Sequence, residues 1–376
     1  MMPSTLSGRF SDPWYTMMFL DHRGPYSLSP VEKAAFLFGE MQRVQQYHVE
    51  HCRPYSRFVY DWLEHRSGTP AGVTELPYLP VTVFKDFELR STTAETMQLK
   101  SSATTTGKSS AVFADKTTRT RQSLSANLIW SDFIGTERRP YVVFDAETTV
   151  RGTAAMTARG AAIMSLAHLS DGIYFVMQED QHGLHLDTTA FGRALEKIHG
   201  RPFLAYGFTY VLYQAHKELE EYDLSGLMVD GESVFLHSGG WKRMQAMAVD
   251  KRQYNELISR VWGLPFRSVL DFYGIVEQVG VPYPDCAAGL KHAPYWADVI
   301  LRSTDTLQPV EEGGIGLIQL VNCLPLSGPN HSVLTEDLGE LVLRDNCECG
   351  RRGIGFRFVG RAPRSEIRGC SDVSRA

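Results

Sequence analysis

Apolar positions repeat with a helical period early in the chain and with a strand period later. Ala35, Phe36, Phe38, Met41 and Val44 form a stripe at helical spacing. Ser29 stands ahead of it as a cap, Pro30 suits the first helical position, and Glu32 completes a capping box. The spacing predicts a helix from Pro30 onward and a second over 55–65. Residues 1–28 read as an irregular leader anchored by Phe10, Trp14, Tyr15 and Phe19. The Pro/Gly-rich segment 67–80 reads as an irregular crossing.

From Val81 onward the texture becomes short apolar runs alternating with helical stretches. Strands are predicted at 96–101, 111–115, 140–145, 173–178, 202–208, 227–231 and 233–240, with helices at 189–200 and 210–222. Such βα alternation implies an α/β fold, a mostly parallel sheet flanked by helices. Ligands of such sheets bind in the turns at the carboxyl ends of strands. The expected division is a helical leader over 1–95, an α/β core over 96–361 and a tail over 362–376.

Composition narrows the class. Hydrophobic residues make up 43% and charged residues 22% of 376 positions, as in ordinary globular proteins. A net charge of -5 gives no electrostatic reason for a nucleic-acid or anionic-membrane partner. No apolar run is long enough for membrane insertion, and MMPSTLSGRF lacks the features of a signal peptide. A cytoplasmic protein with reduced cysteines is expected. His48, His51 and Cys52 lie close in sequence, but packing or surface roles explain them better than metal.

Candidate chemistry sits in the strand-end turns. SATTTGKSS (102–110) offers hydroxyls around Gly107 and Lys108 between two predicted strands, a composition suited to phosphate oxygens. It is not a Walker loop, because no glycine lies five residues before Gly107. HSGGWK (237–242) provides Gly239 and Gly240 for close approach of a flat ligand, with Trp241 as either cover or core filling. DFYGIVEQVG (271–280) carries Glu277, a carboxylate suited to magnesium. TEDLGE (335–340) places Asp337 after a loop, where it would accept hydrogen bonds from ribose hydroxyls. Singly, each motif also reads as a tight or solvated turn.

In this order, and with Gly360-Arg361 following, the motifs resemble those of the adenylate-forming superfamily. More narrowly, the chain resembles the acyl-protein synthetase (LuxE-type) branch. That resemblance runs through LPYLPVTVFKDFELRS (76–91), GFTYVLYQ (207–214), HSGGWK, YGIVEQ, YPDC (283–286), LTEDLG, CECGRRG (347–353) and EIRGCSD (366–372). It implies that Thr105, Thr106, Gly107 and Lys108 hold ATP phosphates. It implies that Gly239, Gly240, Trp241, Tyr273 and Gly274 frame the adenylate, that Glu277 binds magnesium, and that Asp337 and Arg361 contact ribose. Cys370 matches the acyl-accepting cysteine of the family, and Arg361, Arg364 and Arg368 precede it. The phosphate loop departs from the pattern at Ala103-Thr104, where relatives have Ser-Gly. The chain stops soon after Arg361, so the usual full-length C-terminal domain and its lysine are expected to be missing. Lys108 and Lys242 are the candidates to replace that lysine.

The function implied is ATP-dependent activation of a fatty or small organic acid, then acyl transfer to Cys370 and onward to a partner such as an acyl reductase. The alternatives are transfer to CoA, a carrier protein or an amine, and a non-catalytic scaffold keeping the fold. Phe208, Tyr210, Tyr213 and Trp241 are candidates to line the acid pocket. Separately, Cys286, His292, Cys347 and Cys349 would make a Cys₃His zinc set if their segments meet.

Overall fold

In the computed structural model of this chain, residues 24–65, 68–100, 109–151, 155–181, 183–222, 224, 227 and 231–363 are described. The opening helix α1 (Pro30–His51) has the expected cap. Glu32 N–H donates to Ser29 Oγ at 3.3 Å, and Ser29 N–H donates to Glu32 Oε2 at 2.9 Å. Its buried face runs through Leu37, Met41, Val44 and His48. Cys52 interrupts the helix and Pro54 opens α2 (Arg53–Glu64). His48 is a packing residue: its ring contacts Ser91 Oγ at 2.7 Å and Pro325 O at 3.2 Å.

After an irregular crossing, β1 (Leu79–Pro80) is followed by the short α3 (Val83–Asp86). A hairpin of β2 (Met97–Lys100) and β3 (Ala111–Ala114) then carries the 101–110 connection at its end. β5 (Ala155–Thr157) pairs parallel with β2 and completes a small sheet.

The main sheet collects the predicted βα units. Its order is β12-β11-β10-β9-β4-β6, from β4 (Arg139–Phe144), β6 (Ser170–Phe175), β9 (Leu204–Phe208), β10 (Val234–Ser238), β11 (Val269–Tyr273) and β12 (Tyr283–Pro284). All pairs are parallel except β11 with β12. Every residue of β4 and of β9 is buried, the signature of strands covered on both faces. The helices packed nearby are α4 (Lys116–Ile134), α5 (Ala158–Ser165), α6 (Thr188–Ile198), α7 (Thr209–Leu219) and α8 (Lys251–Trp262). The hairpin of β7 (Met177–Asp180) and β8 (Gly183–Leu186) forms a two-stranded sheet of its own, with Met177 and Leu186 packed into the same core. The strand expected at 227–231 falls mostly outside the described residues.

The α/β class holds, and a second sheet joins it that periodicity did not reveal. It has the order β13-β17-β16-β15-β14, from β13 (Lys291–His292), β14 (Ala297–Arg302), β15 (Ile315–Asn322), β16 (Ser332–Leu343) and β17 (Gly355–Arg361). Its mutual pairings are antiparallel, and β1 adds parallel to β16. Leu37, Met41 and Val44 of α1 share a core with Val299, Leu320 and Val321 of this sheet. The short hairpin β12–β13 is where the chain passes from the parallel sheet to the antiparallel one. Among the described residues no helix is long and apolar enough to cross a membrane.

Candidate functional site

The site forms where strand ends of the parallel sheet meet strands β16 and β17 of the antiparallel one. β10 runs through His237 and Ser238 into Gly239 and Gly240, whose φ values of +83° and +61° favour glycine. A Cβ on Gly239 would lie 3.3 Å from the Phe208 ring, so backbone and ring are already in close contact. Beneath this turn the Thr209 hydroxyl donates to Ser238 O at 3.1 Å and lies 3.0 Å from His237 Nδ1. With its hydrogen committed to a carbonyl, that hydroxyl accepts from Nδ1–H. Burial pushes the His237 ring down to about 4, so it is neutral at pH 7.

The neighbouring strand β11 ends in Tyr273, Gly274 and a tight turn at Val276–Gln278. Glu277 is buried and accepts a hydrogen bond from the Ser110 hydroxyl. Burial holds its carboxyl above the ordinary range. This contact brings the end of SATTTGKSS against YGIVEQ, two motifs far apart in sequence. Ser110 was legible only as one hydroxyl among several. Asn330, whose side-chain amide donates to Glu277 O at 2.5 Å, carried no signal at all.

Tyr273 joins the two sheets. Its phenol donates to Asp337 Oδ2 at 2.8 Å, and its ring stacks on Phe358 with centroids 5.3 Å apart. Asp337 and Arg361 face each other in the β16–β17 register, with Arg361 Nε 3.5 Å from Asp337 Oδ1. The turn expected to carry Asp337 is instead the interior of β16. A register shift between Leu338 and Gly339 locally breaks the ladder there, and the Asp337 side chain is 13% exposed. Burial raises the Asp337 carboxyl, while Tyr273 and Arg361 draw it back. Trp241 packs edge-on against Tyr213, with centroids 4.9 Å apart, and borders the core.

A buried charge network under the glycine turn escaped the sequence reading. Lys291 is 2% exposed, and its Nζ donates to Asp271 Oδ2 at 2.8 Å and Asp285 Oδ1 at 2.9 Å. Burial pushes the Asp271 carboxyl up, but Lys291, His237 and Lys251 together outweigh it and leave the group below its ordinary range. Lys251 also reaches Asp285. A charged residue in a short segment reads as surface unless its partners are known.

The structure therefore gathers Gly239, Gly240, Tyr273, Gly274, Glu277, Asp337 and Arg361 around one junction, with Ser110 from the end of SATTTGKSS. Thr105, Thr106, Gly107, Lys108 and Cys370 lie outside the described residues, as does the side chain of Lys242. Cys286, His292, Cys347 and Cys349 meet on the β12–β13 side of the junction.

The sequence model of the acyl-protein synthetase (LuxE) family matches residues 17–376. This chain belongs to that family. As a LuxE-family protein it is a ligase, and its relatives agree. It is 25% identical over 287 residues to the "Long-chain-fatty-acid--luciferin-component ligase" of Aliivibrio fischeri, covering 73% of this chain and 72% of the relative. The protein of the same name from Vibrio harveyi is 23% identical over 211 residues, covering 56% of this chain but only 53% of that relative. In structure, this LuxE-family chain is similar to an open conformation of 2-hydroxyisobutyryl-CoA ligase in complex with 2-HIB-AMP and CoA. The TM-score is 0.64 at 13% identity, covering 91% of this chain and 73% of the other. At that identity the likeness shows a fold shared with that CoA ligase.

Proposed function

We propose that this chain activates a carboxylic acid with ATP as an acyl-adenylate, takes the acyl group onto Cys370 as a thioester, and passes it to a partner protein. What supports the reading is one convergence: the hydroxyl-rich hairpin reaches Glu277 through Ser110, and the same turn's Tyr273 holds Asp337 beside Arg361.

In the first half-reaction a carboxylate oxygen of the acid attacks the α-phosphorus of ATP. A new P–O bond forms, the bond to the β-phosphate bridge breaks, and pyrophosphate leaves with the charge. Thr105, Thr106, Gly107 and Lys108 would hold the departing phosphates, while Gly239 and Gly240 let the adenine lie against backbone. Asp337, fixed by the Tyr273 phenol, would accept from the ribose hydroxyls. Glu277 fits a divalent cation: it is buried, its side-chain donor is the neutral Ser110 hydroxyl, and it lies beside the phosphate hairpin. Magnesium bound there would neutralise phosphate charge.

In the second half-reaction the Cys370 thiolate attacks the acyl carbon. A C–S bond forms, the C–O bond to phosphate breaks, and AMP leaves. A thiolate is the side-chain nucleophile most available near neutral pH, and the arginines preceding Cys370 would favour it. A thiol of the partner then attacks the thioester carbon, a new C–S bond forms as the bond to Cys370 breaks, and the Cys370 thiolate is released. The relatives' name suggests a luciferin component as that partner.

The test has two readouts. Exchange of labelled pyrophosphate into ATP should depend on added acid, with long-chain fatty acids tried first. Intact-protein mass spectrometry after turnover should show one acyl adduct in the unsubstituted protein and none in Cys370→Ala, which keeps its exchange. Loss of exchange with every acid would sink adenylation. An adduct persisting in Cys370→Ala would sink the thioester alone.

A further inference from the structure

Cys286, His292, Cys347 and Cys349 play no part in the chemistry above, yet the fold brings them together from separated segments. Cys286 lies in the turn between β12 and β13, and His292 on β13. Cys347 and Cys349 occupy the turn joining β16 to β17. One ligand atom from each lies within 4.8 Å of all the others. Cys286 Sγ and Cys347 Sγ are 3.9 Å apart, and Cys349 Sγ is 3.5 Å from His292 Nε2. Zn–S bonds of about 2.3 Å in a tetrahedron place sulfurs about 3.8 Å apart, so this spacing matches a shared central ion. It is also too long for a disulfide, and all three cysteines are free.

The histidine is preset for the role. His292 Nδ1 lies 2.9 Å from Ile354 O, and a carbonyl only accepts, so Nδ1 carries the proton. Nε2 is left with a lone pair facing the sulfurs, as a metal-bound imidazole requires. Cys286, His292 and Cys347 are buried and Cys349 is partly so. Three sulfurs and one imidazole form a complete tetrahedral set with no coordination position left for substrate. That is the pattern of structural rather than catalytic zinc.

We infer that these four residues bind one structural zinc ion that staples the β12–β13 hairpin to the β16–β17 turn. β12 pairs with the strand carrying Tyr273, and β16 and β17 carry Asp337 and Arg361. The ion thus ties the parallel sheet to the antiparallel one beside the candidate nucleotide site. The inference rests on local geometry and stands whether or not the chain adenylates acids.

The experiment is metal analysis of the full chain, expressed with zinc in the medium and purified without chelators. About one zinc per chain is expected, with the content falling below about a tenth of an equivalent in Cys347→Ser/Cys349→Ser. Cobalt substituted into the unsubstituted protein should give thiolate-to-cobalt charge-transfer absorption and the intense visible bands of a tetrahedral site. Less than about a tenth of an equivalent of zinc in the unsubstituted protein overturns the inference, as does full zinc content in the double variant. The unsubstituted protein decides the matter even if the variant proves insoluble.

Discussion

Tyr273 and Asp337 hold each other in place. The phenol is buried, and both burial and the adjacent carboxylate oppose its ionisation, so it remains a donor across the working pH range. Tyr273→Phe keeps the ring stacked on Phe358 but removes the hydrogen bond. Leaving a buried carboxylate oxygen without its donor costs about 1–3 kcal/mol. If Asp337 positions ribose, kcat/KM for ATP should fall about ten- to a hundredfold, chiefly through KM. Pyrophosphate exchange measured against ATP concentration checks this, and an unchanged KM would remove Asp337 from the nucleotide site. Glu277→Gln separates charge from shape in the same way. Its carboxyl is raised by burial, so a neutral isostere should leave stability unchanged or slightly improved. If Glu277 holds magnesium, exchange should nevertheless drop at least about a hundredfold. A variant that is both stable and active at low magnesium would refute the assignment.

Elements place these residues, and strand β10 does so most tightly. It ends against Phe208 in two residues with positive φ, and a side chain at Gly239 meets both constraints at once. Gly239→Val should cost about 1–2 kcal/mol of stability from backbone conformation alone. It should also weaken ATP binding more than Gly240→Ala, because Gly240 has open space where its Cβ would go. Denaturant unfolding and nucleotide titration of both variants provide the comparison, and equal effects would show that Phe208 yields freely. Such turns were readable from sequence because glycine has few other reasons to appear in pairs after an apolar run. The capping box at Ser29 was readable because its contacts span three residues. Asp337 was misplaced because Thr-Glu-Asp-Leu-Gly has turn composition, and only pairing with β17 shows that it lies in a strand. The second sheet was hidden for the same reason. Its ladders join residues such as Asp337 and Arg361, whose relation no local period expresses.

The molecule as a whole carries a set of buried neutral histidines that should make it sensitive to acid. Burial pushes His216 and His237 down to about 4 and His331 to about 3, and it lowers His48 as well, helped by His331 stacked 5.0 Å away. In the unfolded chain each histidine takes its proton near pH 6.5. Between that pH and the folded values, the unfolded chain binds protons that the folded chain refuses. Stability therefore falls with pH by about 1.4 kcal/mol per unit for each such histidine. Asp337 and Glu277 act with the opposite sign. Their folded carboxyls are raised, so they oppose folding when charged and are relieved as acid neutralises them. Asp271 is held low by Lys291, so its contribution persists through this window and is lost only further down, as pH falls from the ordinary aspartate value towards its lower folded one. Four groups acting one way outweigh two acting the other. The urea midpoint should thus drop between pH 7.5 and 5.5, corresponding to a loss of about 2 kcal/mol or more. His331→Gln removes one proton site and should flatten the dependence, whereas Asp337→Asn removes an opposing group and should steepen it. A midpoint that holds or rises on acidification would mean these rings already carry protons in the folded state. Their packing against Tyr55, Trp262 and Tyr254 would then have to be redrawn.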